Sequence, residues 1–444
     1  MIKRLHSFGL QVICVLFLFS TFSYAADIAD REVLYNGITL LHAEKTGLPI
    51  VTVVVAIKAG SVAEPAEKAG LANLTADLLN EGTKKRSSKE ISEAIEFVGG
   101  SLGTSGGADY ITVSLSVLKK DVGLGFDLLS DIIRNPAFSA DEVQRRKTSI
   151  KNSIIQQKEE PGTIASKAFA EAVYGKHPYG RPVEGTEESL DRITAEDIES
   201  FHREYYLPNR TIMTVVGDIG RSELKSLLER YFMGWQAKEA KEAAFKLPDP
   251  VGKPKVITIQ KSLTQANIIL GHPGIRRDNP DYYAVSVMNY ILGGGGFASR
   301  LMDNIRDNKG LAYDVHSSFP ASKYGGSFQA ELQTKNESAN TAISEVLKEI
   351  GRIRTEPVSD RELSDAKAYL TGSFPLRIDS NRKMAGFLTA VEYYGLGLDY
   401  VDNYRDYIES VTKDDILRVA RKYLHPENYV LVVVGDLDKA ALKY

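Results

Sequence analysis

The feature that most limits what this chain can fold into is an internal repeat. The segment from Ile193-Thr194-Ala195-Glu196-Asp197-Ile198 to Val216-Gly217-Asp218-Ile219 recurs, without a gap, from Val411-Thr412-Lys413-Asp414-Asp415-Ile416 to Val434-Gly435-Asp436-Leu437. Thr194 maps to Thr412, Tyr205 to Tyr423, Pro208 to Pro426 and Gly217-Asp218 to Gly435-Asp436, a constant offset of 218 residues. Each copy reads as a Thr-capped helix, a proline break and a β-branched strand that stops at Gly-Asp. A second pair follows in the same order at nearly the same offset: Ile133-Arg134-Asn135-Pro136 leading into Ser139 to Val143, and Ile353-Arg354-Thr355-Glu356-Pro357 leading into Ser359 to Leu363. Two matched junctions in one order argue for a duplicated unit rather than chance.

Composition changes between the copies. Gln236 to Glu242 is rich in Ala, Lys and Glu, and Leu247-Pro248-Asp249-Pro250 to Pro254 is rich in proline, so residues 236–254 read as a linker. It separates an N-terminal domain, 26–235, from a C-terminal domain, 255–444. Strand signals open each half: Asn36-Gly37 as a tight turn before Ile38 to Leu41, then Ile50 to Ile57, and later Val256 to Ile259 and Ala266 to Leu270. Helical periodicity follows over Lys89 to Val98, Val122 to Ile133 and Asp141 to Gln157. This order predicts an α+β fold in which each domain is a mainly antiparallel sheet covered by helices on one face.

Residues 1–25 stand apart. Lys3 and Arg4 precede an apolar run from Val12 to Phe19, and Ser23-Tyr24-Ala25 is a small-x-small cleavage site, so the segment reads as a signal peptide and the chain as exported. The competing reading is an uncleaved anchor, but the run is too short to span a bilayer comfortably. A bacterial periplasm fits. The sole cysteine, Cys14, lies inside the apolar run, which leaves the mature chain no thiol for a disulfide, a metal site or a nucleophile. With 55 basic against 58 acidic residues, the charge gives no reason to expect nucleic acid as a partner.

Gly60-Ser61 and the stretch Ala69-Gly70-Leu71-Ala72-Asn73-Leu74-Thr75-Ala76-Asp77-Leu78-Leu79-Asn80-Glu81-Gly82-Thr83 resemble the signature helix of the peptidase M16 family, which includes pitrilysin, insulin-degrading enzyme and mitochondrial processing peptidase. The likeness continues through Phe97 to Leu102, Asn135 to Phe138 and His177 to Gly180, and spans essentially the whole mature chain in the manner of the short bacterial two-repeat type. It implies a LuxS/M16 metallopeptidase-like fold. In that family the helix carries His-x-x-Glu-His: imidazoles four residues apart grip one Zn²⁺ and the glutamate deprotonates its water. The matching positions here are Asn73, Ala76 and Asp77, and alignment on Glu159-Glu160-Pro161 puts Ser153 where the family has its third ligand, a glutamate. An amide is a poor zinc ligand, alanine has no basic group, and one carboxylate alone does not hold the metal. No two of His42, His177, His202, His272, His316 and His425 have helical ligand spacing. The expectation is that this chain binds no cofactor of its own.

The second half is less degraded. Ile291-Leu292-Gly293-Gly294-Gly295-Gly296-Phe297-Ala298-Ser299-Arg300-Leu301, then Ile305-Arg306 and Gly310-Leu311-Ala312-Tyr313, resembles the family's second-domain signature, whose Arg and Tyr, seven residues apart, act on bound peptide. The resemblance assigns those roles to Arg306 and Tyr313. On spacing alone the plain reading is a solvated helix arginine and a tyrosine packed in a strand. The glycine run is not a phosphate loop, since no Gly-Lys-Ser/Thr follows. Together these imply a zinc-free, non-hydrolytic subunit that binds unfolded peptide and completes the site of a second M16-type subunit with an intact His-x-x-Glu-His and its zinc. The alternative is a non-enzymatic periplasmic scaffold or peptide-binding protein. An independent peptidase is disfavoured, because no set of nucleophile, base and orienting group is visible.

Overall fold

The computed structural model describes residues 28–239 and 244–444. The segment read as a signal peptide, and positions 240–243 of the segment read as a linker, lie outside the described residues.

The first half contains β1 (Asp30–Val33), β2 (Thr39–Glu44), β3 (Ile50–Ile57), α1 (Leu71–Leu78), α2 (Ser88–Phe97), β4 (Ser101–Ser105) and β5 (Ile111–Leu118). It continues with α3 (Val122–Arg134), α4 (Ala140–Gln157), α5 (Pro161–Tyr174), α6 (Glu187–Arg192), α7 (Ala195–Tyr205), β6 (Thr211–Gly217) and α8 (Arg221–Phe232). The second half runs β7 (Lys255–Gln260), β8 (Gln265–Pro273), α9 (Tyr282–Asn289), β9 (Ala312–Ser318), β10 (Ser327–Lys335), α10 (Ala339–Thr355) and α11 (Asp360–Gly372). Then come α12 (Asn381–Tyr394), α13 (Tyr400–Glu409), α14 (Lys413–Tyr423), β11 (Val430–Gly435) and α15 (Leu437–Ala440).

The strands form two sheets, ordered β1-β2-β6-β3-β5-β4 and β7-β11-β8-β10-β9. Apart from the extra edge strand β1, the orders are the same, and in each the pairing is antiparallel except for one parallel pair, β2 with β6 and β7 with β11. The repeat is visible at atomic detail. Thr194 and Thr412 both close capping boxes with the aspartate three residues on, with backbone angles of φ −104, ψ 166 and φ −104, ψ 167. The Asn36-Gly37 turn forms as its sequence requires, with Gly37 at φ +93, a left-handed conformation that glycine adopts without penalty.

Within each half the helices cover one face of the sheet, as expected. The other face is covered by a helix from the opposite half. α12 lays Met384, Ala385, Leu388 and Tyr393 on Leu41, Val54, Ala56, Ile212 and Val216 of the first sheet. α5 lays Ala165, Phe169 and Val173 on Ile269, Val430, Val432 and Val434 of the second. This exchange explains the sequence of the central strands. Val51, Val53 and Val55 of β3 face the core of their own half while Val54 and Ala56 face α12, so β3 is buried on both faces and Thr52 is its one polar residue. No β5 residue joins the apolar cluster under α12, and β5 alternates instead, with Ile111, Val113, Leu115 and Val117 inward and Thr112, Ser114 and Ser116 half-exposed. Polar contacts pin the exchange: Thr214 and Thr389 share a buried hydroxyl hydrogen bond of 2.8 Å, and Arg31 donates to both carboxylate oxygens of Glu392 at 2.8 and 2.9 Å.

Candidate functional site

α1 begins where Gly70, at φ +95, turns the chain. Its free N–H groups are met by a buried carboxylate: Glu64 accepts from Gly70 N at 3.0 Å and Ala72 N at 2.8 Å. Burial raises the Glu64 carboxyl to about 7, against the pull of these amides and of Arg181. The helix then buries Leu74 and Ala76 completely and leaves Asn73 and Asp77, one turn apart, half-buried on one face.

That face is filled. Asp77 Oδ2 accepts from Arg146 Nε at 3.0 Å and from Asn73 Nδ2 at 3.4 Å, and Arg146 Nη2 lies 2.8 Å from the same oxygen. Arg146 comes from α4. Burial raises the Asp77 carboxyl, although Arg146 pulls the other way. Asn73 is wedged against Gly106, where a Cβ would come within 2.5 Å of its Oδ1. Nearby lies the phenol of Tyr206, buried and without a hydrogen-bond partner among the described residues, raised by burial and then by the charge of Asp77. Ser153 is exposed on α4, two turns beyond Arg146.

These donors do not fit a zinc ion. Asn73 offers an amide, Ala76 nothing, Ser153 a neutral hydroxyl, and the single carboxylate of Asp77 is already bound to a guanidinium. Among the described residues no group of three or more His, Cys, Asp or Glu side chains is placed to hold a metal.

In the second half the helical segment after β8 does not stay regular. α9 passes into a π-helical turn, Tyr290–Gly294, and a second π-helical turn, Met302–Asn308, carries Arg306. Such wide turns re-aim side chains and recur at functional sites. Gly310, at φ +61, turns the chain into β9, the edge strand that bears Tyr313. The structure brings Arg306 and Tyr313 together: the guanidinium carbon sits 5.5 Å from the Tyr313 ring centroid and 4.7 Å from that of Phe297. Tyr313 is not packed in its strand; it is 82% exposed, and Phe297 is 72% exposed. The hydrogen bond of Arg306 within the chain is a 3.4 Å contact with its neighbour Asp307. Neither Arg306 nor Tyr313 hydrogen-bonds α1, so within this chain the pair and the closed face are separate features.

Behind the pair, Arg300 is buried and donates to Glu362 of α11 at 2.6 and 3.2 Å, fixing the π-helical turn to the domain. Burial would raise Glu362, but Arg300 and the Ser359 cap hold it down at about 2. A cavity of about 300 Å³ opens beside the pair, with Tyr290, Phe297, Arg300, Asp303 and Glu362 in its wall. Sequence reasoning missed Phe297, Arg146 and Glu64. An aromatic directly after four glycines was the available signal for the first; the other two act across 69 and 8 residues of chain and leave no local pattern.

A sequence model described as insulinase (peptidase family M16) matches residues 40–187, and one described as the peptidase M16 inactive domain matches residues 192–370. The chain belongs to the M16 peptidase family. Among M16 relatives, it is 29% identical over 363 residues to the uncharacterized zinc protease YmxG of Bacillus subtilis, covering 80% of this chain and 86% of that one. It is 24% identical to the non-peptidase homolog YmxG of Helicobacter pylori, covering 94% and 96%. A crystal structure of a peptidase M16 inactive domain from Pseudomonas fluorescens superposes with a TM-score of 0.86 at 29% identity, covering 92% of this chain and 98% of that one. The inactive-domain match and the non-peptidase relative fit an inactive M16 chain. No helix among the described residues is long and apolar enough to cross a membrane.

Proposed function

We propose that this M16 chain is the zinc-free, non-hydrolytic subunit of a heteromeric peptidase, lending Arg306 and Tyr313 to a site whose metal a second M16-type subunit holds. The observation that carries the reading is the pairing of a half-buried guanidinium with an exposed phenol, whose donors are almost unspent among the described residues. Both groups can donate hydrogen bonds to a peptide carbonyl oxygen and, more strongly, to the negative charge that develops on it during hydrolysis. Arginine's planar fork suits such an acceptor better than a lysine would. Tyr313 stands on an edge strand, where an extended, unfolded peptide could add by main-chain hydrogen bonds with little demand on its sequence. Export to a bacterial periplasm, after removal of residues 1–25, completes the proposal.

The test is to purify this chain alone and with a two-repeat M16 chain that has an intact His-x-x-Glu-His. Alone it should contain no stoichiometric zinc and cleave no peptide; the mixture should cleave, and Arg306→Ala or Tyr313→Phe should sharply lower that rate. Unchanged turnover in both variants would end the proposal. The non-peptidase description of the Helicobacter relative favours a second reading, a scaffold or peptide-binding protein. Peptide binding without hydrolysis in every mixture would select it.

A further inference from the structure

The misfit between the α1 face and a zinc ion is more than a loss of ligands. A carboxylate as buried as that of Asp77, with 12% of its side chain exposed, is costly unless a cation stands against it. Arg146 meets that need from α4, the same helix that carries Ser153 two turns further on. Its guanidinium therefore spans the two helices whose matching positions would have to converge on a metal. Asn73 adds its amide to the same oxygen, Ala76 contributes no polar atom, and Gly106 lets the Asn73 side chain settle inward.

We infer that Arg146 has taken over the metal's place as the resident cation of this site, tying α1 to α4 through Asp77 and barring a divalent ion. A guanidinium is always protonated, so unlike a histidine or a lysine it does not vacate its charge at any physiological pH. Putting the ligands back would then not restore metal binding. With Asp77 replaced by a neutral imidazole, Arg146 would lose its partner and face the incoming ion as a like charge. The claim concerns this half of the chain alone and stands whether or not a partner subunit uses Arg306 and Tyr313.

The experiment compares two versions of the full-length chain after dialysis against zinc. The first carries Asn73→His, Ala76→Glu, Asp77→His and Ser153→Glu; the second adds Arg146→Ala. The expected zinc content is below about a tenth of an atom per chain in the first and about one in the second. Equal zinc in both, or none in either, would overturn the inference. Because the fourfold change could impair folding, a second measurement uses Arg146→Ala, Asp77→Asn and the pair of them in the natural background. The two should be coupled by about tenfold or more in the unfolding equilibrium constant, and additive effects would overturn the inference equally.

Discussion

Between its strands β3 and β4 the first half runs a regular helix, α1, whose polar face is shut by an ion pair to α4. At the corresponding point, between β8 and β9, the second half runs α9 into π-helical turns that place a half-buried Arg306 against the exposed rings of Phe297 and Tyr313. The sheet orders around the two segments are the same. What differs is how side-chain charge is settled. Asp77 and Arg146 satisfy each other inside the chain, whereas among the described residues Arg306 makes only a long contact with Asp307 and lies against exposed rings. One duplicated scaffold thus supports a face closed by an internal ion pair and another on which Tyr313 and Phe297 stand exposed beside a guanidinium.

The largest effect we expect tests the sameness of the scaffold. Phe169→Ala on α5 and Leu388→Ala on α12 each leave a hole between a sheet and the helix lent to it, and should lower stability by about 2–5 kcal/mol in chemical denaturation. A large loss for one helix and none for the other would break the symmetry. The next tests the difference. Arg306→Ala should reduce turnover in a mixture with a zinc-bearing subunit by about 10²–10³-fold, as for the loss of a charge-stabilising donor, while Asp77→Ala, in whatever fraction folds, should leave turnover per folded molecule unchanged. If both fall alike, the inward and outward sites are not distinct.

A smaller effect concerns the support of α1. Burial raises the Glu64 carboxyl to about 7 in the folded chain, above its unfolded value, so the folded state holds that proton more tightly. The resulting stability is fully present below the unfolded pKa of about 4.3 and is lost as pH rises through about 7, a change of roughly 3–4 kcal/mol. Glu64→Gln should flatten the dependence of unfolding free energy on pH across that window, and an unaltered slope would place the titration elsewhere. The smallest is Phe297→Ala, which removes one of the two rings against Arg306. It should weaken the holding of the guanidinium by about 0.5–1 kcal/mol and lower mixture turnover a few-fold with little change in thermal unfolding.

Much of the scaffold was legible because local patterns carry it. The run Ile50 to Ile57 forms β3 over those residues, the periodicity of Asp141 to Gln157 gives α4, and the Thr-x-x-Asp signals at Thr194 and Thr412 form true capping boxes. The exchange of α5 and α12 was not legible, because an amphipathic helix has the same sequence whichever sheet it covers. A trace of it was present in the apolar run of β11 and in β3, which has only Thr52 as a polar residue and shows no alternation, as a strand covered on both faces requires. At the site, the absence of zinc ligands at Asn73, Ala76 and Asp77 could be read directly. The arginine that answers Asp77 could not, since a helix residue 69 positions away is one of many equally polar candidates until the helices are packed.

The lending of α5 and α12 bears on ancestry. A gene for a single repeat would make a subunit with one greasy β face bare, able to become soluble only by trading helices with a copy of itself. Such a chain would have started life as an intertwined homodimer, and tandem fusion would have converted that intermolecular trade into the present fold. With both copies in one polypeptide the two faces could diverge independently, one closing on the Asp77–Arg146 pair while the other leaves Phe297 and Tyr313 exposed.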